Sequence, residues 1–367
     1  MKVLFVTQYG FLAASSRTRV FQYLPFLKRH HIQASTLTVL SDSRIAGSQI
    51  LATHNRWRKI IYYGRAVWRT LICGIQVWLR ASSYDILFVQ KVIFPAPIRW
   101  LLRWRRYPVV YDFDDAIFTT EVRRHNWLTA WKQRRNARGL PAMLELADLV
   151  VVENEYTAEY AGRYCSGVSI ITGPIDTERY CGPQVREGDG ESVVLGWIGS
   201  ATTVSYLELI RVPLARLAQR FPTLRFRVIG ADAVDLEGIQ GDFLAWSLDS
   251  EVEDLKSFDI GLMPMPDDPW TRGKGGYKLL QYMAMGLPVV TSPVGINRQI
   301  VDDGIVGFWA GGSDEWEERL ALLIQDSHLR LKLGQRGRAV VEAEYALDVS
   351  SRRLVEQMQA LLQAQRK

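Results

Sequence analysis

Asp267–Gly295, DDPWTRGKGGYKLLQYMAMGLPVVTSPVG, decides the fold of this chain. A loop rich in Gly and Pro ends at Gly275-Gly276 and carries Lys274, with Lys278 just beyond. Leu279, Leu280, Met283 and Met285 then recur at helical spacing, stopped by Gly286 as a left-handed cap with Pro288 behind it. Val289–Thr291 supplies a short β-branched strand. Two consecutive glycines let the backbone N–H groups at a helix start approach an anion closely, and the helix dipole favours negative charge there. Lys274 and Lys278 beside such a terminus suggest a diphosphate, with the N–H groups near Gly275 and Gly276 as donors. The same residues also fit an ordinary capped helix with solvated lysines. No Ser or Thr follows Gly273-Lys274, so this is not a Walker A loop, and it is not a GxGxxG turn.

Outward from this unit, strands and helices alternate along the chain, which points to parallel sheets with crossover helices. Lys2–Thr7 spells a buried strand, and Arg17–His30 a helix with Ser15 or Ser16 as N-cap. Arg17 and Arg19 would then sit in its first turn, where a cation opposes the dipole unless it meets an anion. With Lys91, which ends the strand Ile86–Gln90, they are candidates for a phosphate-bearing acceptor; solvated arginines are the alternative. Ala34–Leu40 and Val109–Tyr111 are further strands. The latter runs into YDFDDAIF, placing Asp112, Asp114 and Asp115 past a strand's carboxyl end, where open α/β sheets bind ligands. These acids suit a general base for an acceptor hydroxyl, hydrogen bonds to sugar hydroxyls or, more weakly, a metal; a turn with a helix cap also fits. Pro141–Ala147 and Glu155–Tyr164 read as helices, Leu149–Val152 and Val168–Thr172 as strands. Thr177–Glu191, rich in Gly, Pro and charge, reads as a linker. VVLGWIGSATTVSYLELI then restarts the pattern, and its turn, with Gly199, Ser200 and Thr202, presents donors to a phosphate or sugar. Arg225–Ile229, Phe243–Trp246 and Ile260–Met263 are strands; Trp316–Gln325, Leu329–Tyr345 and Val349–Leu362 are helices.

The chain has 367 residues, enough for two cores, and its 48% apolar and 23% charged residues are globular values. Cys73, Cys165 and Cys181 show neither paired nor metal-type spacing, which fits a reducing cytosol. MKVLFVTQYG reads as a strand rather than a secretory leader, and no apolar run approaches the ~18 residues of a membrane span. Residues 1–175 carry a net charge of +13 and the remainder −7. A basic half suits anionic lipid headgroups, a phosphate-bearing acceptor or nucleic acid. Arg56–Arg80, RWRKIIYYGRAVWRTLICGIQVWLR, and Pro97–Pro108, PIRWLLRWRRYP, mix Trp and Arg as membrane-interface helices do; crossover helices covering a sheet fit equally. No nucleic-acid motif accompanies them.

KLLQYMAMGLPVVTSPVG resembles the signature segment of GT-B glycosyltransferases of the retaining GT4 type (glycosyl transferases group 1). The resemblance is strongest over Val193–Tyr345 and weaker at ASSRTR and YDFDDAIF. It implies an α/β GT-B fold, two Rossmann-like α/β/α domains facing across a cleft, with the C-terminal helix crossing back to the N-terminal domain. The implied divisions are 1–176 for the acceptor, 177–191 as linker, 192–345 for the nucleotide sugar and 346–367 as the returning helix. It further implies sugar transfer from a UDP- or GDP-linked donor to a glycan, lipid-linked or other small acceptor hydroxyl, without metal or other cofactor. The setting it implies is polysaccharide, glycolipid or other glycoconjugate biosynthesis, to which the cysteine usage adds the cytoplasm and the Trp–Arg stretches a contact with the inner face of the cell membrane. In such enzymes the helix start holds the diphosphate, the loop after the strand ending at Trp246 meets the base, and a Glu at the position of Gln281 binds the ribose. A second Glu is replaced by Gly273, and an Arg–Lys pair after the first strand of the second half by Ser200, Thr202 and Thr203. Gln281 could still bridge two hydroxyls. A nucleotide-sugar epimerase and a non-catalytic nucleotide-sugar-binding or membrane-associated protein are the alternatives.

Overall fold

The structure, a computed structural model, describes residues 1–42, 56–119, 127–182, 192–231 and 241–365. Residues 183–191 of the expected linker lie outside them. The chain forms two compact units. Met1–Pro174, Gly273–Gly275 and Leu347–Lys367 make the first; Ile175–Arg272 and Gly276–Ala346 make the second.

The first unit is built on a six-stranded parallel sheet of β1 (Lys2–Tyr9), β2 (Gln33–Leu40), β3 (Ile86–Gln90), β4 (Val109–Asp112), β5 (Leu149–Val152) and β6 (Val168–Ile170), in the order β2-β1-β3-β4-β5-β6. Its central strands are buried along their whole length, as a parallel sheet covered on both faces requires. The expected helix Arg17–His30 is three pieces: α1 (Ala14–Arg19), a 3-10 turn at Phe21–Tyr23 and α2 (Leu24–Arg29). Pro25 has no N–H to continue a helix begun at Ala14, and Val20 leaves helical geometry at φ −138°. Arg17 and Arg19 therefore lie in a last turn, not a first one, and there a cation suits the dipole. The N-cap position falls to Ala13 rather than Ser15 or Ser16.

The crossover helices are α3 (Arg56–Arg80), α4 (Ala96–Arg103), α5 (Trp127–Leu144) and α6 (Glu155–Ala161). On α3, Thr70, Cys73 and Val77 are buried, while Ile61, Trp68, Ile75, Trp78 and Leu79 are exposed, so this helix has two apolar faces. The terminal helix, Leu347–Gln365, places Leu354 and Met358 in one core with Val3, Phe5, Phe88 and Val110.

The second sheet is also parallel. It contains β7 (Val194–Ile198), β8 (Arg225–Ile229), β9 (Gly241–Leu244), β10 (Ile260–Met263), β11 (Val289–Thr291) and β12 (Gly307–Trp309), in the order β12-β11-β10-β7-β8-β9. Its helices include α7 (Arg211–Arg220), α8 (Glu251–Leu255), α9 (Pro269–Arg272) and α10 (Tyr277–Ala284). All of Leu279–Ala284 is buried, and Gly286, at φ 74°, ends the turn that leads into β11.

Candidate active site

Each sheet reverses its strand order once, between β1 and β3 in the first and between β7 and β10 in the second. Strand ends diverge at such a point and leave an opening for a ligand.

In the first unit, Gln90 ends β3 and donates to Ser15 Oγ at 3.0 Å, while Ser16 Oγ donates to Gln90 Oε1 at 2.9 Å. Ser15 Oγ donates in turn to Asp114 at 2.9 Å. Arg19, delivered by α1, grips Asp112 with Nε at 3.0 and 3.2 Å and Nη2 at 2.5 Å. Its Nη1 donates to the carbonyls of Ile171 at 2.6 Å and Gly173 at 3.1 Å, and reaches Glu153 at 3.5 Å. Burial opposes the guanidinium's charge, but Asp112 and Glu153 outweigh it and hold the proton more tightly than usual. Arg19 and Asp112 are each 1% exposed, so this pair ties α1 to the strand ends and offers nothing to solvent. Arg17 is likewise buried and donates to Leu12 O at 3.2 Å.

Asp114 and Asp115 have different surroundings. Lys91 Nζ lies 2.8 Å from Asp114 and 3.4 Å from Asp115, and Lys274 Nζ lies 3.3 Å from Asp115. These four side chains are 12 to 26% exposed, open enough for a ligand to reach. Lys91 and Asp115 both hold φ 59°, a conformation that side-chain-bearing residues rarely adopt and that clusters at functional sites. Burial favours the neutral acid at Asp115, but the ammonium groups of Lys274 and Lys91 prevail and pull its carboxyl down to about 2.

Glu153, just past β5, completes the cluster, and the sequence reading missed it. Burial, opposed by Arg19 and reinforced by Asp114, Asp115 and Asp112, pushes its carboxyl up to about 8. The carboxylate fills the space a Cβ at Gly275 would occupy, 2.0 Å from the ideal position. Asn154 donates to Lys274 O at 3.0 Å while its Oδ1 caps α6 by accepting from Thr157 N at 2.9 Å. Asn154 thus ties down the loop Gly273–Gly275, and Glu153 packs against its Gly275.

In the second unit, Gly199 follows β7 and its N–H donates to Ile229 O at 2.9 Å. A Cβ there would come within 2.5 Å of Lys278 Nζ, and that ammonium lies 4.0 Å from the centroid of the buried Trp197 ring. Ser200 and Thr202, both exposed, place their hydroxyls 2.8 Å apart on the same turn. Helix α10 starts from Gly276 at φ 68°, with no acidic residue in its first turn and no side-chain cap. Gln281 donates to Tyr180 Oη at 3.2 Å and Glu251 Oε1 at 3.1 Å. Glu251 also accepts from Tyr180 Oη and Trp246 Nε1. A Cβ at Gly230 would lie 3.1 Å from Trp246 Cβ and 2.2 Å from Gly199 O, so the ends of β7, β8 and β9 converge.

The second unit therefore gathers Gly199, Ser200, Thr202, Trp246, Gly276, Lys278 and Gln281 at one sheet edge. Lys274 and Gly275 group instead with Asp112, Asp114, Asp115, Arg19 and Lys91. Glu153 was within reach of the rule that flagged Asp112, since it too follows a strand; Tyr180 and Glu251 carried no such signal.

Residues 192–326 match the family described as Glycosyl transferases group 1. A search of curated proteins found no match. Among solved structures, HepE from Anabaena, in complex with UDP and glucose, is similar over 98% of this chain and 99% of that one, at 16% identity and a TM-score of 0.66. Sucrose-phosphate synthase from Thermosynechococcus elongatus is similar over 99% and 100%, at 12% identity and a TM-score of 0.73. The lipopolysaccharide outer core galactosyltransferase WaaB is similar over 98% and 99%, at 13% identity and a TM-score of 0.62. At these identities the likeness speaks for the fold, two parallel six-stranded α/β units. The chain has the GT-B fold, and its residues 192–326 match the family of group 1 glycosyltransferases.

Proposed function

We propose that the protein transfers a sugar, with retention and without a metal ion, from a UDP-linked donor to an acceptor hydroxyl in polysaccharide or glycolipid biosynthesis in the cytoplasm. The observation that carries this reading is the convergence of the Gly199 turn, Lys278 and the start of α10 at the switch point of the second sheet. A glycine turn admits a phosphate close to the backbone, and the ammonium with the helix dipole stabilises charge growing on a departing nucleoside diphosphate. That electrostatic role is the one a divalent cation would otherwise fill. Trp246 and the Glu251–Gln281 pair are the groups to meet the base and ribose. UDP is favoured over GDP because HepE, similar over nearly its whole length, binds UDP and glucose.

The acceptor falls to the first unit. Asp114 and Asp115 are its candidate hydroxyl partners, and Lys91, rather than the buried Arg17 or Arg19, is the cation to meet an acceptor phosphate. Asp112 acts through Arg19 as a positioning residue. The test is a product assay with UDP-sugars and a panel of lipid-linked and free glycan acceptors, with and without EDTA. Acceptor-dependent product unaffected by EDTA is expected. Donor converted with no acceptor present would make the protein an epimerase, and absence of both turnover and nucleotide binding would overturn the reading.

A further inference from the structure

The outward faces of α3 and α4 lie outside the residues assigned to sugar transfer, yet with the residue that follows α4 they hold the most exposed tryptophans among the described residues of the first unit. Trp104 is 76% exposed, Leu79 64%, Trp68 63%, Trp100 60% and Trp78 47%. At 3.6 residues per turn, Ile61, Trp68, Ile75, Trp78 and Leu79 fall within an arc of about 120°, away from the buried Thr70, Cys73 and Val77. Arg65, Arg69 and Arg80 line one border of that arc. Trp100 on α4 and Trp104, the residue that ends it, are exposed, with Arg103 between them in sequence. From Ser43 to Tyr111 the sequence has one acidic residue, Asp85, against twelve Lys and Arg.

We propose that this face docks the protein on an anionic lipid surface, α3 lying in the plane of the headgroups. An amphipathic helix with aromatic and aliphatic residues on one arc and arginines on its border matches an interface that is apolar below and negatively charged above. Tryptophan prefers that level because its ring is apolar and its N–H finds a polar partner. Among the described residues no helix is long and apolar enough to cross a membrane, so the contact is peripheral. A second copy of the chain is a poorer occupant. A two-fold interface would set one arginine row against its own equivalent with no acid in the patch to answer it. Nucleic acid would find the cations but has no use for an aliphatic arc of Ile61, Ile75 and Leu79. The proposal stands apart from the sugar-transfer reading, because it uses none of the same residues.

The experiment is co-sedimentation of the full chain with vesicles rich in phosphatidylglycerol and with vesicles of phosphatidylcholine alone. Wild type is expected to bind the anionic vesicles, more weakly as salt rises, and the neutral ones at least about tenfold more weakly. The combined W68S/W78S/W100S/W104S variant and the combined R65Q/R80Q/R103Q variant should each lose about tenfold or more on anionic vesicles, with melting temperature and UDP-induced thermal shift unchanged. All these side chains lie outside the cores, so unchanged melting shows that lost binding is not unfolding. Failure of wild type to bind anionic vesicles, or binding that neither variant weakens, would overturn the proposal. So would sedimentation showing a wild-type dimer that the tryptophan variant dissociates, without vesicle binding.

Discussion

Glu153 and Lys278 carry the sharpest consequences of single residues. Because Glu153 titrates at about 8 in the folded chain against an ordinary 4.5, the folded state holds its proton more tightly than the unfolded one. Stability is then fully present below the ordinary value and declines as pH rises through about 8. Glu153→Gln should remove that decline, so wild type and variant converge at pH 5 and separate in the variant's favour by pH 8, as read from urea unfolding at each pH. Asp115 has the opposite sign: its stabilising ion pairs with Lys274 and Lys91 are lost as pH falls towards 2. At the donor side, Lys278→Ala should lower transfer by about 10- to 1000-fold, the range for removing one charge-stabilising group. Turnover of the variant with a UDP-sugar checks this, and an unchanged rate would take Lys278 out of the mechanism. Arg19 teaches a different lesson: a cation in a helix's first turn would want an anion such as an acceptor phosphate, but Arg19 sits in a last turn and is consumed by Asp112 and two carbonyls.

Elements were legible wherever hydrophobic periodicity was strong. The strands Ile86–Gln90, Leu149–Val152, Arg225–Ile229, Ile260–Met263 and Val289–Thr291 are found where the apolar runs put them. Runs shaped by local backbone chemistry were not legible, as Arg17–His30 illustrates: its apolar spacing is helical, but Pro25 divides it. Half of the site was visible for the same reason. Gly199, Lys278 and the start of α10 announce themselves by turn chemistry, whereas Tyr180 reaches Glu251 from 71 residues away, a meeting only tertiary packing creates. The terminal helix is a case where packing can be weighed directly. Met358 is fully buried in the first unit's core, and Met358→Ala should cost about 2–5 kcal/mol in chemical denaturation, the range for truncating a buried large side chain. A loss under 1 kcal/mol would mean that this helix is dispensable to the core.

The whole molecule combines a basic first half with an acidic second one, and each unit has a core of its own. A ligand that binds only the folded second unit should stabilise that unit in particular. UDP at about 100 times its Kd should add about 2.7 kcal/mol. In hydrogen exchange the added protection should concentrate in 199–204, 246–251 and 277–284; protection confined to the strands of the first unit would relocate the nucleotide. Charge asymmetry alone pointed to an anionic partner, but it could not say whether phosphate, lipid or nucleic acid. The exposed apolar arc on α3 is the feature that favours lipid in the docking proposal, and vesicle binding tests it.

Neither unit is one continuous stretch of sequence, for the polypeptide passes from one to the other at Pro174, at Arg272, at Gly275 and again at Ala346. A chimaera intended to exchange donor preference with another enzyme therefore cannot be made by a single splice near residue 176. The recipient must keep its own Leu347–Gln365 to complete the amino-terminal core, and its own Gly273–Gly275 to match the carboxylate of Glu153. Recombination that ignored those two short tracts would yield misassembled hybrids even if every donor-contacting side chain were transplanted intact.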